Sequence, residues 1–481
     1  MNSATMGKRA ITGFVWRLFQ NSGTQIVSFV VSIVLARILS PADYGLIAMI
    51  TVFTNIAQIF INTGFSSAVV QKERITNADM STMMFSSIAL GGILYAVLYF
   101  SSPAIASFYG EPLLKDLLRV QSLTVLIGSF GSVHQALVTR RMLFKKSFVA
   151  GFIGVSAQSV LGIVLAINGF GAWALVWSVL ANTVIVTIGS FVIAKWRPRL
   201  LFSIKSFTDT IGFCTKMLMA ALIDSIFQNI RSLIIGKKYS GEDLAYYNKG
   251  NQFPTLIMLQ IDGSMTTVLF SLLSKVQSDW DEGLRALRRA MKMSIYICAP
   301  LMAGLFAVAR PMVLLLLTEK WEFAVEYVQL GCMVCMFWPL SAQRHALNAR
   351  NKSGVALTFN IVSKLIMALM LVLTFRHGVH AMILSEVYAY LIIFLIGLFV
   401  YRKHLDYSIC QQLGDVLPPI LLSLIMGVAA YSVQFLQLSN LLTLVLQVAT
   451  GAAVYIFLSF VFKLDSFVYL VNIVKSKFKN K

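Results

Sequence analysis

Residues 40–46 read SPADYGL, and residues 240–246, 200 positions further along the chain, read SGEDLAY. Each stretch lies between two long apolar runs. Further matches recur at offsets of 208 or 209: Pro103 with Pro311, Glu111 with Glu319, Val120 with Val328, Gln121 with Gln329, Gly169 with Gly378 and Ala172 with Ala381. In a membrane protein, duplicated halves of this size indicate a transporter whose two lobes enclose a central path.

The composition places the chain largely in lipid. It is 58% hydrophobic and 12% charged, whereas soluble domains carry about 25% charged residues. Fourteen segments are long enough to cross a hydrocarbon core of about 30 Å as helices, which takes about 20 apolar residues. Because lipid offers backbone groups no hydrogen-bond partners, we expect an all-α integral membrane protein.

The predicted spans form two groups of six and a final pair. The first group covers residues 14–36, 44–68, 80–101, 117–138, 148–168 and 170–194. The second covers residues 211–236, 252–273, 290–317, 324–345, 355–375 and 377–400, and the pair covers 412–435 and 441–462. Since six is even, both groups enter the membrane from the same side, which predicts pseudo-symmetric lobes around a central cavity. The predicted domains are an N-terminal six-helix lobe (1–205), a C-terminal six-helix lobe (206–405), and two extra spans with a basic cytoplasmic tail (406–481).

Basic residues crowd into alternate loops, and this sets the predicted orientation. Three of these loops contain four cations each: Arg140, Arg141, Lys145 and Lys146; Lys195, Arg197, Arg199 and Lys205; Arg285, Arg288, Arg289 and Lys292. By the positive-inside rule these loops and both termini face the cytoplasm. The net charge of +20 fits this topology and contact with anionic lipids. It does not indicate nucleic-acid binding, because no soluble module gathers the charge.

Polar residues inside the spans carry the predicted chemistry, because an intramembrane charge costs at least about 2.5–3.5 kcal/mol unless it is sheltered. The first span has a polar stripe at helical spacing: Arg17, Asn21, Gln25, Ser28 and Ser32. Its repeat partner has a similar stripe: Lys216, Asp224, Gln228 and Arg231. The second span of each half adds one polar residue, Asn62 and Asp262. We predict that these residues line the cavity, with Arg17, Lys216 and Arg231 as its cations.

Two further charges, Lys364 and Glu386, lie about 12 and 10 residues from the turn between the eleventh and twelfth spans. Antiparallel packing puts them at similar depth, so we predict that they pair. Lys364 is a fourth candidate cation for substrate binding, although the pair can equally serve only to neutralise itself. Asp224, Asp262 and Glu386 have two possible roles, and the sequence does not decide between them. They either couple transport to a proton or Na⁺, or they only balance nearby positive charge.

The sequence offers no evident site for catalysis. The largest predicted loop, 274–289, places Asp279, Asp281 and Glu282 ahead of its arginines, which predicts an amphipathic cytoplasmic helix. No P-loop, HExxH, nucleophile elbow or zinc spacing is present, so we expect no enzyme activity, cofactor or metal. The CxxC at Cys332 and Cys335 lies within an apolar span, where we predict simple burial.

Four stretches carry a family resemblance: GFVW at 13–16, VLARILSPADYG at 34–45, QK at 71–72 and ALVTRR at 136–141. Over essentially its whole length the chain resembles polysaccharide transporters of the Wzx kind, and their colanic acid exporter branch in particular. These transporters belong to the multidrug, oligosaccharidyl-lipid and polysaccharide exporter superfamily.

The resemblance implies a flippase that moves an undecaprenyl-diphosphate-linked oligosaccharide, a polysaccharide or lipopolysaccharide precursor, across the bacterial inner membrane. It implies a V-shaped cavity, two added helices that bind the lipid tail, and a polysaccharide polymerase with export machinery as partners. No site residue is carried over from the family. Two alternatives stay open: an ion-coupled multidrug extruder of the same superfamily, whose cationic substrates favour acidic cavities, and a membrane-embedded polysaccharide-synthesis enzyme.

Overall fold

The computed structural model describes residues 23–63, 65–72, 75–275, 280–469 and 471–472. At residues 71, 213, 216 and 262–275 it describes the backbone and not the side chain. Within these ranges the chain is almost entirely helical and contains no β-strand. The predicted all-α class is therefore confirmed.

The helices alternate with short connections. In the first part of the chain they are α1 (Gly23–Ile38), α2 (Pro41–Thr63), α3 (Phe65–Gln71), α4 (Asn77–Tyr109), α5 (Leu114–Gln121), α6 (Leu123–Arg140), α7 (Phe144–Ile167), α8 (Ala172–Ala194) and α9 (Ile204–Lys238). The others are α10 (Gly241–Lys275), α11 (Trp280–Leu317), α12 (Ala324–Cys335), α13 (Ala342–Ala349), α14 (Ser353–Thr374), α15 (Val379–Leu405), α16 (Ile409–Ser432) and α17 (Asn440–Val461).

Twelve helical stretches of the described residues are long and apolar enough to cross a membrane. They overlap the predicted spans two to seven and nine to fourteen, and most extend beyond the predicted ends. The predicted first span is described only from Gly23 onward, as α1. The predicted eighth span lies within α10, a continuous helix of 35 residues. The chain is a multi-pass membrane protein.

The repeated stretches 40–46 and 240–246 form the same cap, one on α2 and one on α10. The Ser40 N–H donates to Asp43 Oδ2 at 3.1 Å, and the Asp43 N–H donates to Ser40 Oγ at 3.2 Å. Ser240 and Asp243 repeat these two bonds at 3.1 and 3.0 Å. Such reciprocal bonding satisfies amide groups that the first helical turn leaves unpaired. Each copy therefore starts a helix directly after the preceding helix ends.

The matched prolines are equivalent in the fold as well as in the sequence. Pro103 lies inside α4 and Pro311 inside α11, each six residues before its helix ends at Tyr109 or Leu317. The glycine that is equivalent to Gly378 in the fold lies two residues after Gly169, its match in the sequence. Gly378 directly precedes α15, and the residue that directly precedes α8 is Gly171, which like Gly378 has a positive φ.

Within the described residues, the fourth predicted span of each half is interrupted. Residues 117–138 form α5 and α6, which meet at Ser122, whose hydroxyl donates to the Arg119 carbonyl at 2.9 Å. Residues 324–345 form α12, a 3₁₀ turn at Trp338–Ser341 and the start of α13. Pro339 accounts for the second interruption, because proline lacks an N–H and fits the first turn of a new helix.

The structure divides into two compact units, Met1–Ala245 and Tyr246–Lys481. In the first unit α9 packs against α2, α3 and α4, and α8 packs against α6 and α7. In the second unit α11 packs against α12, α16 and α17. The lobe boundaries at 205 and 405 describe the duplicated halves of the sequence, and they stay a prediction.

Two arginines of a basic loop close helix ends in the first unit. Arg140 Nη1 donates to the Val69 carbonyl of α3 at 2.8 Å, and Arg141 Nη1 donates to the Ala194 carbonyl of α8 at 2.6 Å. Cations at helix C-termini also complement the helix dipole. Nearby, Lys72 pairs with the buried Asp79 at 2.7 Å. Part of the charge that predicted the orientation is thus used in packing.

The described cysteines match the burial prediction. Cys332 and Cys335 are each 1% exposed, and Cys298 lies beside them with its Sγ 3.8 Å from the Cys335 carbonyl. Cys214 is buried and Cys410 is exposed. The CxxC is therefore part of the apolar packing of α11 and α12, as predicted.

Candidate functional site

The polar stripe predicted on the first span is only partly described. Arg17 and Asn21 lie outside the described residues. On α1, Gln25 is half-buried, Ser28 is exposed, and the Ser32 hydroxyl donates to the Phe29 carbonyl at 2.9 Å. The role of Arg17 and Asn21 in a cavity stays a prediction.

The corresponding stripe on α9 places three polar side chains on one helix face. Asp224, Gln228 and Arg231 are separated by four and three residues, so they lie one above another. Asp224 and Gln228 are exposed, whereas Arg231 is 8% exposed. The side chain of Lys216 lies outside the described part of the chain.

This face of α9 differs in polarity from the helix around it. Ile223 and Ile226 are each 47% exposed and flank Asp224 near the middle of the 35-residue helix. A carboxylate at this depth is stable where it meets water or a counter-charge rather than lipid. The arrangement suits a helix with one face toward a water-filled path and another toward lipid.

The predicted polar residues of the second spans are less informative. Asn62 is exposed and lies within Pro41–Val70, a stretch long and apolar enough to cross a membrane. Asp262 lies on the described backbone of α10, but its side chain is outside the described part. Their place in a cavity stays a prediction.

Lys364 and Glu386 lie on α14 and α15, which pack against each other in the second unit. Both side chains are half-buried. At the turn between these helices, the Thr374 hydroxyl donates to Ser385 Oγ at 3.0 Å. The helix pairing on which the predicted ion pair depends is present, and the ion pair itself stays a prediction.

A buried lysine on α10 was not among the predicted site residues. Lys249 is 5% exposed, and its Nζ lies 6.0 Å from the ring centroid of Trp321. The edge of Tyr246 also meets the Trp321 ring, at a centroid distance of 5.9 Å. The predicted eighth span began at 252, which left Lys249 in a loop. The cap at Ser240 and Asp243 is the signal that places this lysine two turns inside a helix.

A second missed group is a buried carboxylate near the start of α16. Asp415 is 3% exposed, accepts two bonds from Arg288 at 2.6 and 3.0 Å, and lies 3.3 Å from Lys292 Nζ. The Tyr407 hydroxyl donates to Asp415 Oδ2 at 2.7 Å, and burial raises the pKa of this phenol. A lone acid in a predicted apolar span was the available signal.

Other buried polar groups join helices of the first unit. Gln58 Nε2 donates to the Thr124 carbonyl at 3.0 Å, and Gln121 Nε2 donates to Thr51 Oγ1 at 3.3 Å. Hydrogen bonds of this kind hold transmembrane helices together. We assign these residues to packing rather than to a binding site.

Similarity to known sequences covers most of the chain. The succinoglycan biosynthesis transport protein ExoT of Rhizobium meliloti (strain 1021) is 25% identical over 321 residues, which are 66% of this chain and 65% of that protein. The teichuronic acid biosynthesis protein TuaB of Bacillus subtilis (strain 168) is 26% identical over 462 residues, which are 94% of this chain and 95% of that protein. The chain thus spans just under two thirds of ExoT and nearly all of TuaB.

The fold is similar to a solved transporter structure. The lipid II flippase MurJ, in an inward closed conformation, matches 93% of this chain and 98% of its own with a TM-score of 0.77 and 16% identity. At this identity the likeness concerns the fold alone. The model of the family described as "Polysaccharide biosynthesis protein" matches residues 34–326, more than half of the chain. This chain therefore belongs to the polysaccharide biosynthesis protein family.

Proposed function

We propose that this protein is a flippase that moves an undecaprenyl-diphosphate-linked oligosaccharide from the inner to the outer leaflet of the bacterial inner membrane. Both termini face the cytoplasm, and a polysaccharide polymerase with its export machinery takes up the product. ExoT is named for succinoglycan biosynthesis transport and TuaB for teichuronic acid biosynthesis, and these names support the assignment.

The observation that carries the proposal is the polar face of α9. A diphosphate headgroup needs cations in a partly desolvated path, where charge-assisted hydrogen bonds are strong. Arg231 supplies such a cation, and Asp224 and Gln228 extend the same face. We infer that Arg17 and Lys216 add cations to this face, and Lys364 stays a candidate cation in the second unit, while the lipid tail stays in the bilayer.

The proposed mechanism is alternating access, in which the two duplicated lobes expose the headgroup site first to one leaflet and then to the other. An ion gradient drives the cycle if Asp224, Asp262 or Glu386 exchanges a proton or Na⁺. A downhill process, driven by consumption of the product outside, is equally compatible. Dissipating the membrane potential and the proton gradient separately during a transport assay distinguishes the two.

The test replaces the candidate cations one at a time. We expect Arg231→Ala to reduce surface polysaccharide by about tenfold, because a charge-assisted contact to the diphosphate is lost. Arg231→Lys keeps the charge without the planar fork and is expected to retain part of the activity. The matched control is Arg402→Ala, which removes an exposed arginine from the end of α15. Arg17→Ala and Lys216→Ala are tested in the same way. Wild-type amounts of surface polysaccharide in Arg231→Ala, Arg17→Ala and Lys216→Ala would show that these cations do not form the headgroup site.

A multidrug extruder of the same superfamily is the second candidate. Its cationic substrates favour acidic cavities, whereas the candidate residues here include four cations and three acids. Deletion of the gene separates the two functions. A strain that keeps its surface polysaccharide but becomes sensitive to cationic drugs would show that the flippase assignment is wrong.

A further inference from the structure

A basic cavity of about 370 Å³ lies beside the first turns of α11, in the second unit. Its lining includes four cations from one helix: Arg285, Arg288, Arg289 and Lys292. They follow one another at intervals of three, one and three residues, so they share a single face of α11. The cavity volume falls in the range of about 300–1,000 Å³ that is usual for small-molecule sites.

Two of the four cations are fixed by carboxylates. Arg288 makes a two-point contact with the buried Asp415, and Lys292 lies 3.3 Å from Asp415 and 2.7 Å from Asp465. These bonds join α11 to α16 and to the helical residues 465–469. Arg288 and Lys292 are therefore held in place as one wall of the cavity.

The other two cations are not compensated. Arg285 and Arg289 are exposed, and no carboxylate in the described ranges pairs with either. Like charges four residues apart on a helix repel each other. The cavity lining holds these four cations and one carboxylate, Asp465, whereas Asp281 and Glu282 of the first turn are not part of the lining. The lining is therefore positive, and an anion would neutralise it.

The length and charge pattern of α11 indicate that the cavity lies at the depth of lipid headgroups. The 38 residues of α11 extend about 57 Å, whereas a hydrocarbon core is about 30 Å thick. From Met293 to Leu317 the helix carries one charged residue, Arg310, so its apolar part is the C-terminal one. The first turns of α11 thus project beyond the hydrocarbon. Tyr469, which lines the cavity and is 53% exposed, is an aromatic residue typical of this depth.

We propose that this cavity binds the phosphate of an anionic phospholipid from the adjacent leaflet, with Arg285 and Arg289 as the phosphate ligands. A guanidinium group matches phosphate oxygens in a two-point geometry. Ser466, which also lines the cavity, adds a hydroxyl donor. Basic pockets between transmembrane helices on the cytoplasmic side are suited to anionic headgroups. The proposal uses none of the candidate headgroup residues and does not depend on the proposed function.

The experiment measures lipid binding to the purified full-length protein. Protein in nanodiscs of phosphatidylcholine is titrated with fluorescent phosphatidylglycerol, with fluorescent phosphatidylcholine as the neutral comparison. We expect a preference for phosphatidylglycerol that falls by about tenfold or more in Arg285→Gln/Arg289→Gln, because two charged contacts are lost. The matched control is Arg402→Gln/Lys403→Gln, which removes the same charge from exposed residues at the end of α15.

Three results would overturn the proposal. The first is an unchanged lipid preference in Arg285→Gln/Arg289→Gln, and the second is an equal loss in the control, which would indicate unspecific charge attraction. The third arm uses inorganic diphosphate in the absence of added anionic lipid. Diphosphate binding that depends on Arg285 and Arg289, without any lipid preference, would assign the cavity to a soluble or substrate phosphate. Because Arg285 and Arg289 are exposed, an unaltered unfolding temperature confirms that the variant is folded.

Discussion

At the scale of single residues, two glycines bring the duplicated turns into backbone contact. A Cβ atom on Gly45 would lie 2.2 Å from the Gly241 carbonyl oxygen. The backbone cannot turn aside as a flexible side chain does, so position 45 requires glycine, whereas a Cβ atom on Gly241 would meet no atom closer than 3.4 Å. Close approach through small residues is common between membrane helices. The repeated stretches are therefore constrained by packing between them as well as by their caps.

Replacing Gly45 by Ala tests this contact. Alanine is worth up to about 1 kcal/mol over glycine inside a helix, but the clash with Gly241 is expected to cost about 1–3 kcal/mol. We predict a lower unfolding temperature in detergent for Gly45→Ala. The matched control is Gly92→Ala on α4, where an added Cβ meets nothing within 4 Å, and an equal or higher temperature is expected. Equal unfolding temperatures of Gly45→Ala and Gly92→Ala would contradict a tight packing contact at Gly45.

The predicted pairing of Lys364 with Glu386 is a second question at this scale. Both side chains are half-buried, on helices that pack against each other. If they pair, Lys364→Ala and Glu386→Ala each leave a charge uncompensated, and the exchanged variant Lys364→Glu/Glu386→Lys recovers part of the lost transport. Surface polysaccharide is the measurement. An exchanged variant that performs no better than either single variant would argue against pairing.

At the scale of helices, Asp415 joins α16 to α11. It is 3% exposed and meets Arg288 and Lys292, whose side chains are 29% and 27% exposed. Asp465 also contacts Lys292, at 2.7 Å, but its side chain is 80% exposed. Removing one partner of a buried ion pair is far costlier than removing one of an exposed pair.

This contrast gives a matched pair of variants. We predict that Asp415→Asn lowers stability by about 3 kcal/mol, because two cations and the Tyr407 hydroxyl lose their acceptor charge. Asp465→Asn is expected to change stability by less than about 1 kcal/mol. The unfolding temperatures of the two purified variants decide the matter. A larger effect at Asp465 than at Asp415 would mean that the ion pairs do not hold the helices as described.

Helix positions were predictable where the signal was local. Apolar length located the spans. The Ser and Asp spacing at 240–243 was an available local signal for a helix start, but the predicted eighth span began at residue 252. The interruptions at Ser122 and at residues 336–341 were missed because a hydropathy window averages over them, although Pro339 was visible. The first turns of α11 were predicted as an amphipathic loop helix. The structure joins them to the membrane span as one helix of 38 residues.

At the scale of the whole molecule, composition predicted the all-α membrane class of the fold, and spacing predicted part of the candidate site. Residues on one helix, such as Asp224, Gln228 and Arg231, could be placed on a common face from their intervals alone. Contacts between distant parts of the chain could not be predicted from such intervals. Asp415 meets Arg288 across 127 positions, and no local pattern links them. The burial of Arg231 and Lys249 likewise depends on neighbours that the sequence does not reveal.

The most direct test of the account is the leaflet distribution of lipid-linked oligosaccharide after depletion of this protein. Intact spheroplasts are treated with a membrane-impermeant reagent that modifies the sugar, and the labelled fraction is compared with the total extracted from lysed cells. The account predicts that total lipid-linked oligosaccharide rises while the labelled fraction falls, and that the wild-type gene restores both but Arg231→Ala does not. An unchanged labelled fraction in depleted cells would contradict the assignment as a flippase.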